Sequence, residues 1–321
     1  MYTEEQAREL VITAGMMLVD KGLVARTWGN VSAKCGEHEM IITPSGIAYE
    51  SLKPEDLVKV NIDTLEYDGE IKPSSEKGIH AAVYKMREGV NFVIHTHQKY
   101  ASIVGAEERN LSFAPCAAYG LPGTDKLKDN VISSLERNRW SDKFLLAKHG
   151  ALLLGTSMDD AFMLAEELEK ECQEEFEKRV PNIDEIPMKR IDASKYTSSS
   201  APYAILVQDK MIAECTLAGV TVQPCLDDFA QMVGPDMKVV KNNKIDIMMG
   251  LVGRQAVLIK GVGALCVGKS QDDCEAAASI VSKNCGATCY VRKAHPLQSV
   301  DAIMQRIIYL TKYSKKKDIK S

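Results

Sequence analysis

The sequence predicts an α/β layer architecture in two lobes, and three observations predict it. Strand-like and helix-like stretches alternate through the first half, apolar periodicity breaks down over residues 181–200, and the second half repeats part of the first. Residues 4–21 set Ala7, Leu10, Val11, Ala14, Met17 and Leu18 on one stripe, an amphipathic helix that Gly22 ends. Short β-like pieces follow at 40–42 and 57–62, then a segment led by Pro73, a helical stretch at 76–87 and a strand-like run at 91–96. Residues 144–155 read as one further strand, and 158–178 as a long helix with Ala161, Leu164, Ala165 and Leu168 on one face. The stretch 181–200 (PNIDEIPMKRIDASKYTSSS) collects Pro, Ser and charge as a linker does, which divides the chain into a lobe at 1–180 and a second at 201–321.

The repeat is visible in register. KHGALLLGTSMDDAFMLAEEL from Lys148 lies on GVGALCVGKSQDDCEAAASIV from Gly261, FVIHTHQK from Phe92 lies on YAILVQDK from Tyr203, and APC at Ala114 lies on QPC at Gln223. The second lobe is expected to be a partial, degenerate copy of the first.

Composition excludes several classes. At 321 residues, 45% hydrophobic and 26% charged, the chain is neither disordered nor collagenous nor a coiled coil. Forty Lys plus Arg against 44 Asp plus Glu give a net charge of -4, which argues against nucleic acid as a partner; the basic end, TKYSKKKDIKS, reads as a solvated terminus. No apolar stretch approaches the roughly 20 residues of a bilayer span, and MYTEEQAREL has no signal-peptide pattern, so a cytoplasmic protein without a membrane partner is expected. The nine cysteines form no close-spaced framework and read as reduced thiols.

The chemistry concentrates on histidine. His95 and His97 stand two apart in a strand-like run, so both side chains project to one face and reach one ion. His149 is the candidate third ligand. In the repeat, Leu206, Gln208 and Val262 stand at these three positions, the joint loss expected of coupled ligands. Three imidazoles with an open position suit catalytic zinc. Glu76, in KPSSEKGIH, opens a helix that Ser74 or Ser75 can cap, and a carboxylate beside a cation is a candidate general base. His80, one turn later, reads either as support behind the metal ligands or as a packed helix residue, the packed reading being preferred. TWGNVS (27–32), ITPSG (42–46) and the two serines supply hydroxyls, an amide and glycine N–H groups, a suitable phosphate lining without a P-loop.

In their order, TWGNVS, ITPSGIAY, KPSSE, HTH and KHG resemble the class II aldolase/adducin family, in particular its L-fuculose-phosphate-aldolase-like enzymes, over residues 1 to about 180. The resemblance implies a three-layer αβα sandwich around a mainly antiparallel sheet, assembled as a homo-oligomer. It implies that His95, His97 and His149 hold Zn2+, and that Glu76 caps the resting metal and acts as base. Thr27, Gly29, Asn30, Ser45, Gly46, Ser74 and Ser75 would hold the phosphate of a small phosphorylated sugar. The implied reaction cleaves a ketose 1-phosphate to dihydroxyacetone phosphate and an aldehyde through a metal-stabilised enediolate. The same fold serves a pentulose-phosphate 4-epimerase and a methylthioribulose-phosphate dehydratase, and survives in adducin-like interaction modules that have shed their ligands. The ligand set would also accept other divalent transition metals. Two departures stand out. The stretch in which the family places a proton-donating tyrosine has none here, which leaves Tyr119 in PCAAYGLPGT as the candidate donor. The appended lobe carries neither the ligands nor a counterpart of PSSE.

Overall fold

Thr3 starts the first helix: its hydroxyl accepts the Gln6 N–H while the Gln6 side chain accepts the Thr3 N–H, a reciprocal cap ahead of α1 (Glu4–Asp20). The computed structural model describes residues 1–24, 26–180, 188–291 and 296–313. The chain divides into two units, Met1–Gln173 and Glu174–Ser321.

After α1 the first unit runs β1 (Asn30–Lys34), β2 (Glu39–Ile42), β3 (Val58–Asn61), α2 (Lys77–Met86), β4 (Phe92–Thr96), α3 (Lys99–Gly105), β5 (Cys116–Ala117), α4 (Asp125–Arg137), β6 (Lys143–Leu146), β7 (Gly150–Gly155) and α5 (Met158–Arg179), with the division between units falling inside α5. Its strands form one sheet in the order β3-β2-β1-β4-β7-β6-β5. The sheet is mixed and, as expected, mainly antiparallel: β5 alone runs parallel to its neighbour β6, because α4 carries the chain back between them as a crossover. The remaining neighbours are antiparallel.

The expected single strand at 144–155 is a hairpin. β6 and β7 pair antiparallel, with Leu146 opposite Gly150 and the His149 N–H closing the turn on the Leu146 carbonyl. Both strands are buried almost throughout, so neither carries the alternation that would set two short strands apart. Strand β1 was hidden for a related reason, since its Asn and Ser look like turn residues.

Alternating residues face opposite layers. Met40, Val60, Val93, Phe144 and Leu152 share a core with Ile79 and Val83 of α2 and with Leu127, Val131 and Leu135 of α4. Their neighbours Val31, Ile41, Ile94, Leu145 and Leu153 are equally buried but stand outside that cluster, and α1 touches β1 and β2 while α3 touches β6 and β7. Continued past Val93, the same alternation aims residues 95 and 97 at the α2 layer.

The second unit contains β8 (Tyr203–Val207), α6 (Lys210–Ala218), α7 (Asp227–Met232), β9 (Val239–Val240), α8 (Lys244–Gly250), β10 (Ala256–Ile259), β11 (Gly263–Gly268), α9 (Gln271–Val291) and α10 (Ser299–Ile308). Its sheet order, β8-β11-β10-β9 with β9 parallel to β10, has the connectivity of β4-β7-β6-β5. The ladders agree residue by residue: His95 faces Leu152 where Leu206 faces Leu265, and Phe92 faces Gly155 where Tyr203 faces Gly268. The turn before the last strand is left-handed in both, at Lys148 (φ 59°) and Gly261 (φ 69°). One sequence match has no counterpart in the ladders. Cys116 pairs with Leu145 and Val239 with Leu258, so Val239 rather than Cys225 occupies the equivalent place. Of the expected linker, residues 181–187 lie outside the described residues, as does the terminal basic stretch 314–321; Ile191, Ala193 and Tyr196 pack against the second unit's core.

Gly29 has φ 80°, and a Cβ there would stand 2.6 Å from the His95 carbonyl oxygen. Gly22 has φ 65° with nothing within 4 Å. Gly22→Ala should therefore cost only the left-handed strain of about 1–2 kcal/mol. Gly29→Ala should cost roughly twice that, because β1 must also move off β4. Denaturant midpoints of the two variants check the difference.

Candidate active site and metal centre

Strand β4 delivers His95 and His97 to one face, and the β6–β7 turn brings His149 beside them. All three are buried, and their ligand nitrogens lie within 4.8 Å of one another. His95 Nε2 is 3.1 Å from His97 Nε2, and the His95 and His149 rings stack with centroids 4.7 Å apart. His95 Nδ1 donates to the Ala151 carbonyl at 2.9 Å, which turns Nε2 toward the cluster. Tetrahedral zinc bonds of 2.0–2.1 Å separate ligand nitrogens by roughly 3.3 Å, so the arrangement fits a divalent ion. Gly150 lets the hairpin close this tightly, since a Cβ there would come 2.1 Å from the Thr96 carbonyl oxygen.

Glu76, just ahead of α2, meets the cluster from the helix layer. It is 7% exposed; its Oε1 accepts from His149 Nε2 at 3.1 Å, its Oε2 lies 3.5 Å from His95 Nε2, and Asn30 Nδ2 donates to Oε2 at 2.8 Å. Burial by itself would raise the carboxyl's pKa. The His95 charge and the hydrogen bonds from His149 and Asn30 outweigh it and hold the group well below the usual carboxylate range. Neither of the two serines expected to cap this helix does so: Glu76 is itself the N-cap residue of α2, without a side-chain cap, and Ser74 instead accepts the Glu76 N–H at 3.2 Å.

Behind Glu76 runs a polar chain that the sequence did not reveal. Because Asn30 donates to Glu76 through Nδ2, its Oδ1 accepts, and His80 Nε2 is the donor to it. His80 Nδ1 then accepts from Ser32 Oγ at 2.7 Å, and Tyr84 OH donates to the Ser32 carbonyl at 3.0 Å. His80 is thus more than a packed helix residue: it holds the amide that holds the carboxylate. The signal was the i, i+2 spacing of Asn30 and Ser32, legible only once β1 is known to be a strand.

The expected phosphate-binding residues lie on three segments that the fold brings together. The Ser74 N–H donates to the Thr43 carbonyl, the Ser45 N–H to the Lys72 carbonyl, and Pro44 bridges Pro73. Thr43 Oγ1 accepts the Val31 N–H, which ties in the segment of Thr27, Gly29 and Asn30. Gly46 has φ 78° in the second loop. Ser75 packs close to Gly123, where a Cβ would stand 3.1 Å from the serine Oγ, and both line a cavity of about 190 Å³ together with Glu76 and Thr124. Asn30 and Ser74 are already engaged with Glu76, so this set and the base are one hydrogen-bonded structure. Tyr119 is half-buried after β5, with its carbonyl accepting from Asn130.

Residues 9–176 match the family described as Class II Aldolase and Adducin N-terminal domain. The chain belongs to this family. The class II aldolase domain is 34% identical over 177 residues to the 5-deoxy-D-ribulose 1-phosphate aldolase of Bacillus thuringiensis serovar kurstaki, a match spanning 51% of this chain and 82% of that protein. It is 30% identical over 181 residues to the L-fuculose phosphate aldolase of Escherichia coli K12, spanning 53% of this chain and 81% of that one. The L-ribulose-5-phosphate 4-epimerase UlaF of Salmonella typhi matches at 39% over 99 residues, 30% of this chain and 43% of its own length. Among solved structures, YgbL of Klebsiella pneumoniae, for which aldolase, epimerase and decarboxylase activities are suggested, superposes with a TM-score of 0.50 at 25% identity, covering 57% of this chain and 94% of that one. No helix among the described residues is long and apolar enough to cross a membrane.

Burial, and then the His95 charge, push the His80 imidazole down to about 3, so it is neutral in the folded chain, whereas an unfolded histidine titrates near 6.5. Its contribution to stability is complete above about pH 6.5 and is lost as pH falls toward 3, because only the unfolded chain gains the proton. In metal-free protein, the stability advantage of wild type over His80→Gln should shrink by an amount on the order of a few kcal/mol between pH 7 and 4. Denaturant midpoints at several pH values measure it.

Proposed function

We propose that the first unit catalyses the metal-dependent aldol cleavage of a ketose 1-phosphate to dihydroxyacetone phosphate and an aldehyde. The observation that carries this reading is the Glu76 carboxylate, buried and set 3.1 Å from His149 Nε2 at the rim of a three-imidazole cluster. Similarity to two sugar-phosphate aldolases, one of them named for a 1-phosphate and each matched over more than four-fifths of its length, supports it. His95, His97 and His149 would hold the metal, with zinc the first choice for three imidazole ligands. Bound there, the metal supplies Lewis acidity toward the substrate carbonyl.

The chain's own groups do the rest. Thr27, Gly29, Asn30, Ser45, Gly46, Ser74 and Ser75 hold the phosphate and so fix C3 against Glu76. In cleavage the C4 hydroxyl gives its proton to a basic group at that oxygen, the C3–C4 electron pair stays on C3, and C3 takes a proton through Glu76, which draws it from solvent. In synthesis Glu76 removes that proton from dihydroxyacetone phosphate. Asn30, braced by His80, keeps the carboxylate oxygens aimed during both transfers. Tyr119 is the candidate group for the proton on the C4 oxygen. The similarity to UlaF keeps 4-epimerisation of a pentulose phosphate as the second reading; it would reuse C3–C4 cleavage but release no aldehyde. The retained ligands and base weigh against an adducin-like module without catalysis. The second unit reads as a copy released from this chemistry, supported by the matched ladders in which Leu206 stands at the place of His95.

Hydrogen–deuterium exchange at C3 of dihydroxyacetone phosphate tests the base without knowledge of the aldehyde. Exchange should be metal-dependent and fall by about 10²–10⁴ in Glu76→Gln with metal content retained. His97→Ala should lose metal and exchange together. A folded, metal-loaded protein without exchange would sink the aldolase reading. Tyr119→Phe separates the two protons: exchange should persist while cleavage slows by about 10²-fold or more. Equal loss of both would remove Tyr119 from the donor role.

A further inference from the structure

Four non-glycine residues among the described residues carry a positive φ, and two of them are paired with each other. Glu108 (φ 57°) follows α3, Lys148 (φ 59°) stands in the turn between β6 and β7, and Lys148 Nζ lies 3.0 Å from Glu108 Oε1. The main chains converge as well. The N–H groups of Glu108 and Lys148 both donate to the Gly105 carbonyl, at 3.1 and 3.3 Å. A side chain in the left-handed region is strained, and glycine is the residue such a backbone prefers. The Lys148 side chain is only 5% exposed, and an ammonium so far from water needs a charged partner. Two strained positions and a buried charge therefore meet at one contact.

The second unit has the same backbone without that contact. The register that lays Tyr203 on Phe92 also starts α6 at Lys210 where α3 starts at Lys99, and continued without a gap it lays Gly219 on Glu108. The register of the hairpins lays Gly261 on Lys148. Both glycines are left-handed, each with φ 69°. The turn is also the same, since the Val262 N–H closes on the Ile259 carbonyl as the His149 N–H closes on that of Leu146, each at 3.0 Å. Glycine thus satisfies the main chain at both places, and what the first unit gains from Glu108 and Lys148 is the ion pair itself. The pair stands where the three histidines stand, and is missing where Leu206, Gln208 and Val262 replace them.

We propose that Lys148 and Glu108 are positioning residues for the metal ligands. His97 sits between the end of β4 and the start of α3, and Lys148 directly precedes His149. The pair ties the far end of the helix that follows His97 to the turn that carries His149, and so fixes the two ligand-bearing segments against each other. Strain of this kind persists only where the surroundings over-determine it, and it collects at functional sites. Glycine at 148 would keep the hand of the turn but free it to sample other conformations, which loosens the ligand it carries. The inference rests on the metal reading of the histidine cluster, and not on the reaction assigned to it.

The zinc dissociation constant of the full chain, read by competition with a chromophoric chelator, tests the pair. Lys148→Gly and Glu108→Gln should each raise it by about 10–100-fold. Lys148→Arg, which keeps the charge and the reach to Glu108, should restore most of the affinity. The double variant Lys148→Gly with Glu108→Gln should bind no more weakly than either single one, because losing one partner already breaks the pair. Circular dichroism and the denaturant midpoint of the metal-free protein should show the fold retained in Lys148→Gly, since glycine relieves the strain there. Unchanged affinity in Lys148→Gly would overturn the proposal, as would a loss that Glu108→Gln does not share. So would a metal-free midpoint that falls in step with the affinity in every variant, which would make the pair a support of the fold at large. A wild type that holds no zinc would overturn the metal reading and this proposal together.

Discussion

The first unit is organised around a buried carboxylate. Moving an ionised Glu out of water costs several kcal/mol unless charge and hydrogen bonds compensate. Glu76 has both, from two imidazoles of one layer and from Asn30 of the strand beside it. That pairing needs α2 to begin at one height above the sheet. The Ser74 hydroxyl and the loop that Thr43 and Pro44 tie to Pro73 and Ser74 set this height. The histidines in turn are held for the carboxylate by their strands, so base and ligand cluster are positioned by the same set of bonds.

Strand β4 is the shared reference. It lies between β1 and β7 in the middle of the sheet, and each neighbour contributes to the site: Asn30 opposite His95 on one side, the hairpin carrying His149 on the other. Two glycines permit the approach. Side chains at Gly29 or Gly150 would press on backbone carbonyls of β4 itself. The geometry of the histidine cluster is therefore a property of sheet packing.

The second unit shows what the same ladder does without the charge. Leu206 and Val262 take the places of two histidines, and β10 and β11 remain as buried as their counterparts in the first unit. No strands equivalent to β1, β2 and β3 belong to its sheet among the described residues. Its helices also leave large apolar side chains exposed, among them Ile245, Met249 and Val300.

The α/β organisation and the three clustered histidines were legible because each rests on local pattern. Spacing two on a strand puts His95 and His97 on one face in any fold, and the matched segments around His95 and His149 fall on strands of like connectivity in the second unit. The sequence by itself determined which residues are available as ligands and base. It did not determine the hairpin at 143–155, where two fully buried strands carry no alternation, nor β1, whose inward Asn30 and Ser32 look like turn residues until their partners are known. Only the tertiary structure decided that Asn30, His80, Ser32 and Tyr84 form one chain behind Glu76, because hydrogen bonds between residues some fifty positions apart depend on which faces meet. It also decided that β5 runs parallel to β6 and that α10 shows its apolar side to water. Sequence periodicity states that a helix has a face, and packing against α7 selects which face is left outside.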